Sequence, residues 1–340
     1  MPYQTGSVAS FSALKTEILS FLSANGWTQE TDIIKRNGVY AKIAIGATPH
    51  DGDAYIRLEG GKGSDGSGNL IAKHDGPSPS GWVNNNGQMS ASFGLGAANA
   101  MVFPITYYFH LASTPVDEFW CFIQFNGDYC QHMGFGNINK AMPFTGGAFY
   151  SSMSVEVDSS SRQLYNINTN SLLSNPGYGF NGALSGLGHN ALEMIPFHGG
   201  YGIHQNAFAG SALHAEIGGL EWASSHRVSN AAPYPLSKFM IAGHRETGAM
   251  QKVSESTVNG MPNLIPFNIR VLGYDGNWQP VGSLENIRFS QIGLMNFGQV
   301  ESDGTDSWKF YPLFKKDADD ADGGLNHTGT MGLAVRYDGP

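Results

Sequence analysis

Sulfur, imidazole and carboxylate side chains crowd one short stretch of this sequence, Phe119-Trp-Cys-Phe-Ile-Gln-Phe-Asn126-Gly127-Asp-Tyr-Cys-Gln-His-Met-Gly. Asn-Gly between two aromatic and β-branched runs predicts a hairpin, because these two residues tolerate the positive φ of a tight turn. A two-residue turn sets Phe125 opposite Asp128, Ile123 opposite Cys130 and Cys121 opposite His132. Both sulfurs then lie on one face, diagonally offset, where a disulfide is open but not favoured. A Cys/His metal pair lacks third and fourth ligands at useful spacing. Cys121 and Cys130 therefore read as small buried apolar residues. Asp117, Glu118 and Asp128, beside Trp120 and Tyr129, have the makings of a glycosidase carboxylate pair. They suit rim charges around packed aromatics equally well.

Other motifs carry less. Gly61-Lys-Gly63-Ser-Asp-Gly66 and Gly177-Tyr-Gly179-Phe-Asn-Gly182 match the dinucleotide-binding pattern. That chemistry needs a strand before the glycines and a helix N-terminus after them, so that amides and dipole meet the pyrophosphate. Asp75-Gly-Pro soon after the first match, and Asn175-Pro176 before the second, deny that context. His189, His198, His204 and His214 fall within 163–215. With no carboxylate or Cys at short range they read as hydrogen-bonding loop residues rather than metal ligands. The run Asp317-Ala-Asp319-Asp320-Ala-Asp322-Gly323-Gly324 mimics a calcium loop, but Ala321 stands fifth, and Thr328 twelfth where a bidentate Glu belongs. It reads as an acidic surface turn. No Gly-x-Ser-x-Gly elbow occurs. No catalytic residue, cofactor or metal ligand is assigned, and the chain reads as a non-enzyme.

The elements that must position these residues are mostly strands. One amphipathic helix is expected over Phe11–Leu22, where positions 14, 18, 21 and 22 share a face. Ser10 or Ser12 can cap it, Asn25-Gly26 supplies the left-handed stop, and Trp27 packs back as a core anchor. Beyond it, Asn-Gly pairs begin at 37, 86, 126, 181 and 259, and Asp-Gly pairs at 51, 65, 75, 275, 303, 322 and 338. Between these turns lie the strand candidates Val39–Ile45, Ala54–Leu58, Ile105–Leu111, Glu118–Phe125, Tyr129–Ile138, Phe267–Tyr274 and Trp308–Phe314. Residues 59–100 read as a Gly/Ser/Asn-rich connector of long loops around Trp82. The expected fold is mainly β: antiparallel sheets, β-sandwich-like, with one short N-terminal helix and long Gly-rich loops. A boundary is placed near 150, giving a helix plus β-meander domain (1–150) and a β-rich domain (151–340) with a charge-poor extended segment at 163–215. That segment holds a single charged residue, Glu193.

Composition excludes several classes. Of 340 residues 45 are Gly, near twice the usual roughly 7%. Charged residues make up 14% against a typical ~25%. Hydrophobic residues at 41% and aromatics at 12% allow a sizeable core, which excludes wholesale disorder. A net charge of −9 without a dense Lys/Arg cluster argues against nucleic acid as a partner. No apolar run approaches the roughly 20 residues of a membrane span, and no signal peptide is expected at the N-terminus. Synthesis in a reducing cytoplasm is expected from the two cysteines.

The order of motifs resembles that of tailed-bacteriophage virion structural proteins. The resemblance rests on Ala24-Asn25-Gly26-Trp27, on the hairpin continuing as Met133-Gly-Phe-Gly-Asn-Ile-Asn-Lys140, and on Phe144-Thr-Gly-Gly-Ala-Phe149. It continues in Gly276-Asn-Trp278-Gln-Pro-Val-Gly282, Ser307-Trp308-Lys-Phe-Tyr-Pro312 and Gly332-Leu-Ala-Val-Arg-Tyr337. It implies a component of the tail, tail tip or baseplate, or neck, present in several copies in the virion, and it transfers no functional residue. Partners would be copies of the chain and other phage structural proteins.

Low charge density suits such a role, since desolvating ions at an interface core is costly. Trp308, Phe310 and Tyr311 are the candidate interface residues, with a core strand as the other reading of the same segment. The leading expectation is a multi-copy ring or collar with heterologous contacts. The alternative is a receptor- or glycan-binding tail module that stacks Trp and Tyr on a host surface glycan. The third is a virion-associated glycan hydrolase with two carboxylates facing each other at roughly 5 to 10 Å.

Overall fold

A computed structural model describes residues 1–47, 54–73, 88–90, 101–143, 146–154, 210–217, 261–272, 278–312, 315–316 and 331–339. Strand β1 (Tyr3–Val8) leads into α1 (Phe11–Ala24), where the Ser10 side chain accepts from the Ala13 amide at 3.1 Å. This is an N-cap that satisfies one of the orphan donors of the first turn. Asn25 and Gly26, the latter at φ +86°, end the helix, and Trp27 turns back into the core. Phe11, Leu14, Ile18, Leu19, Phe21 and Leu22 form its buried face.

Then follow β2 (Thr28–Glu30), β3 (Ile33–Arg36), β4 (Val39–Ala47), β5 (Ala54–Ser64), β6 (Leu70–Lys73) and β7 (Gln88–Ser90). Next come β8 (Ile105–Ala112), β9 (Glu118–Phe125), β10 (Tyr129–Asn137), β11 (Asn139–Lys140), β12 (Gly146–Ser154) and β13 (Gly210–Ile217). The last are β14 (Leu264–Leu272), β15 (Trp278–Gln291), β16 (Val300–Ser302), β17 (Ser307–Pro312) and β18 (Met331–Arg336). Among the described residues all pairings are antiparallel, and they make three sheets. The first runs β2-β3-β4-β5-β6, with β7 also on β5. The central one runs β1-β8-β9-β10-β12-β13, and the third β11-β15-β18-β17-β16, with β14 on β15. The fold is mainly β with a single helix among the described residues, as expected. The boundary placed near 150 falls inside β12.

The central sheet is covered on both faces. One face carries Phe109, Phe119, Cys121, Met133, Phe135 and Tyr150 into a common core with α1 and with Ile43, Ile56 and Leu58 of the first sheet. On the other face Phe122 stacks on Tyr311 of the third sheet, with centroids 4.1 Å apart and planes at 12°. Every residue of β9 but Gln124 is therefore buried, and the in–out alternation typical of a half-solvated antiparallel strand is lost.

The connector expected over 59–100 contains strands. Residues 59–64 continue β5, which takes β6 and β7 along its free side. Its glycines serve close approach rather than looping: a Cβ on Gly60 would sit 2.6 Å from the Tyr150 ring. Trp82 lies outside the described residues.

Candidate functional site

The hairpin of β9 and β10 forms, one register step away from expectation. Asn126 and Gly127 take φ +45° and +89°, but Phe125 pairs with Tyr129, so three residues make the loop. Cys121 then lies opposite Met133, and Cys130 opposite Gln124. A one-residue slip sends side chains to the other face. Cys121 accordingly joins the core beside α1, and Cys130, an odd number of steps from its opposite position, points to the other side. The shared face expected for the two sulfurs is thus corrected, and both thiols are free and buried. Burial pushes both well above the ordinary thiol range, which leaves them protonated and unreactive.

The three carboxylates are not brought together. Asp128 is exposed in the hairpin loop. Asp117 turns to the β3–β4 hairpin, where Arg36 Nε lies 3.1 Å from Oδ1 and Asn37 Nδ2 donates to Oδ2 at 2.6 Å. Glu118 is buried on the face toward the third sheet. Its Oε1 accepts the Glu285 amide at 2.8 Å, the Asn286 amide lies 3.3 and 3.4 Å from its two oxygens, and Trp120 Nε1 donates to Oε2 at 3.3 Å. The Asn286 side-chain amide faces the same carboxyl without completing a well-formed bond. Burial dominates and raises Glu118 to about 7, against the opposing pull of these donors.

These donors are available because β15 is irregular. Pairing with β14 shifts between Pro266 and Phe267, whose partners are Arg288 and Leu284. The intervening residues bulge out of that ladder, a device that re-aims backbone groups. Glu118 receives two of the freed amides from another sheet. Beside it, Glu285 accepts from Ser283 and from Asn139 Nδ2. Burial opposes ionisation of Glu285, but those donors and nearby Arg288 outweigh it and hold the carboxyl low.

Two further titratable groups lie between the central and third sheets. His110 Nε2 is 2.8 Å from Tyr311 Oη, fully buried. Burial lowers His110 to about 3, helped by Lys309 and opposed by the Arg336 backbone. A carbonyl taking the ring proton leaves Nε2 as the acceptor of the Tyr311 hydroxyl. His132, opposite Phe122 on this face, is also lowered by burial to about 3. Lys309 Nζ sits 4.7 Å from the ring centroids of both Tyr3 and Tyr337, a cation–π arrangement.

The candidate interface residues are all buried within the chain. Tyr311 belongs to this inner layer. Trp308 and Phe310 point to the other side of β17, under Ile292, Met295 and Ala334, with Arg288 over the Trp308 ring. Gly61 and Gly63 lie in β5, so the first dinucleotide-like match is a strand edge and turn rather than a phosphate loop. The second match, His189, His198 and His204 and the acidic run Asp317–Gly324 lie outside the described residues, as does 163–209. His214 stands in β13. Among the described residues no cluster of three or more His, Cys, Asp or Glu is placed to hold a metal ion. No described helix is long and apolar enough to cross a membrane.

The groups that sequence reasoning missed are His110 and the Glu285–Asn286 bulge. His110 interrupts an otherwise apolar run, Ile105-Thr-Tyr-Tyr-Phe-His-Leu111, which is a usable signal of a buried polar contact. Nothing in the sequence marks the bulge. No protein-family model matches the chain, and no curated protein matches it significantly.

Proposed function

We propose that this chain is a non-enzymatic structural component of a tailed-phage particle, assembling in several copies as a ring or collar in the tail, tail tip or baseplate. The observation that carries the reading is a sequence poor in ions whose fold leaves apolar side chains in the open. Charged residues are 14% of the chain, while Leu294 is 75%, Val102 64% and Ile71 52% exposed. Such positions favour contact with other subunits, since covering them removes apolar area from water without desolvating charges. The resemblance of its aromatic and Gly motif order to that of virion proteins supports the same assignment. So does the use made of Asp117, His110 and Glu118, which bind layer to layer.

Electron microscopy of intact particles carrying a tagged copy tests this directly. The expected result is density for the chain in a multi-copy ring at or near the tail. In solution, light scattering should show concentration-dependent assembly that Leu294→Glu weakens. A stable monomer that depolymerises a bacterial surface glycan would overturn the proposal in favour of the hydrolase reading. A monomer that binds such a glycan without cleaving it would favour the receptor-binding one.

A further inference from the structure

We propose that Glu118 is a protonation-controlled latch between the central sheet and the β15 bulge of the third sheet, closed when its carboxyl carries a proton and loosened when it is ionised. Four geometric facts carry this. The carboxyl is fully buried. Its partners, the amides of Glu285 and Asn286, belong to a different sheet and lie 167 and 168 residues away in the chain. Those amides are released from ladder pairing by the register shift in β15. The Asn286 side chain, itself fully buried, faces the same carboxyl without completing a well-formed bond.

The charge environment sets the direction. Among the described residues Arg288 is the cation that acts on Glu118 electrostatically, and it is shared with Glu285, Asp303 and Asp306. The carboxylate just before its strand, Asp117, is taken by Arg36 and Asn37 on the opposite side. Trp120 offers an indole N–H and no charge. Asn139, from β11, is neutral and bound to Glu285. With that cation divided among four carboxylates, an ionised Glu118 gains more from water than from its pocket. Opening the β15 bulge therefore releases a proton wherever the closed state holds one and the open state does not. That window runs from the ordinary carboxylate value of 4.5 to about 7. Opening becomes up to tenfold more frequent per pH unit across it, roughly 300-fold in all.

Hydrogen exchange of the full chain, corrected for the intrinsic pH dependence of exchange, tests the latch. Protection of the Glu285 and Asn286 amides should fall by up to tenfold per pH unit between 4.5 and 7, while β8 amides keep theirs. In Glu118→Gln, which cannot titrate, the fall should disappear. The same fall in wild type and variant, or protection that rises with pH, would overturn the proposal. If the variant does not fold, infrared titration of the buried carboxylic acid band in the wild type decides. Loss of the band near neutral pH supports the latch, and loss below pH 5 refutes it.

Discussion

Tyr311→Phe removes one oxygen and little else. The phenol stacks on Phe122 at 4.1 Å, and that contact survives in the variant, so the change isolates the hydroxyl's bond to His110 Nε2 at 2.8 Å. His110 Nε2 is then left as a buried acceptor without its donor. An unmade hydrogen bond of this kind costs ~1–3 kcal/mol. Tyr108→Phe is the internal comparison: its hydroxyl donates to Gln124 Oε1, also at 2.8 Å, but in a part-buried position. Solvent can satisfy Gln124 there, so the loss should stay near the ~0.5–1.5 kcal/mol net worth of an ordinary bond. Urea unfolding of all three proteins at pH 7.5 measures both values, with an unchanged m-value showing that the native surface is conserved. Nitrogen-15 spectra of the His110 ring should report a neutral imidazole with its proton on Nδ1. Equal losses in the two variants, a Tyr311→Phe loss under ~0.5 kcal/mol, or a proton on Nε2 would refute the assignment.

Acid titration of stability carries a signed expectation. His110 and His132 are depressed to about 3, so the stability they lend above the ordinary 6.5 is lost as pH falls below it. Glu118, raised to about 7, works the other way and lends stability that is full below 4.5. Between 4.5 and 6.5 unfolding takes up two protons and releases one, so these groups cost ~1.4 kcal/mol of stability per pH unit of acidification. In Glu118→Gln the release vanishes and the slope should steepen to ~2.7 kcal/mol per unit; parallel profiles by pH-dependent denaturation would contradict this. Gly134→Ala should destabilise by ~1–3 kcal/mol, because a Cβ there would meet Trp120 Cε3 at 2.2 Å; an unchanged melting temperature would show that the Trp120 ring can yield. Ser10→Ala should cost ~1 kcal/mol through the lost cap, while Ser10→Gly should cost only a few tenths, again by thermal or urea unfolding.

How legible the fold was depends on how local its causes are. The helix was readable because its signals are sequential: Ser10, the stripe Leu14-Ile18-Phe21-Leu22, then Asn25-Gly26. The turn at Asn37-Gly38 was readable for the same reason, though not the strand Ile33–Arg36 before it, whose Arg36 pairs directly to Val39 across two positive-φ residues. At Asn126-Gly127 the same dipeptide sits in a three-residue loop, and a single added residue moved Cys130 to the opposite face. Dipeptide identity fixes where a chain turns, whereas the count of loop residues is settled by which faces the strands can bury. Likewise the glycines of β5 looked like a loop because the ring that requires them, Tyr150, lies some ninety residues further on.

The polar contacts between layers were hidden for a deeper reason. A strand with one wet face announces its buried polar residues by breaking an alternation, but β9 and β10 have no wet face. Glu118 therefore looks like a rim charge at the start of an aromatic run, and its burial follows only once β15 is known to lie over it. The donors that receive it are backbone amides, which every residue but Pro carries, so no choice of residue at 285 or 286 could have advertised them. What makes them donors to Glu118 is the register of β14 on β15, a property of two strands together and not of either sequence. The consequence is a division of labour. Side-chain pattern places the sheets, and pairing irregularities decide where a buried charge can be received. Among the described residues the second of these fixes the one carboxyl that burial raises to about 7.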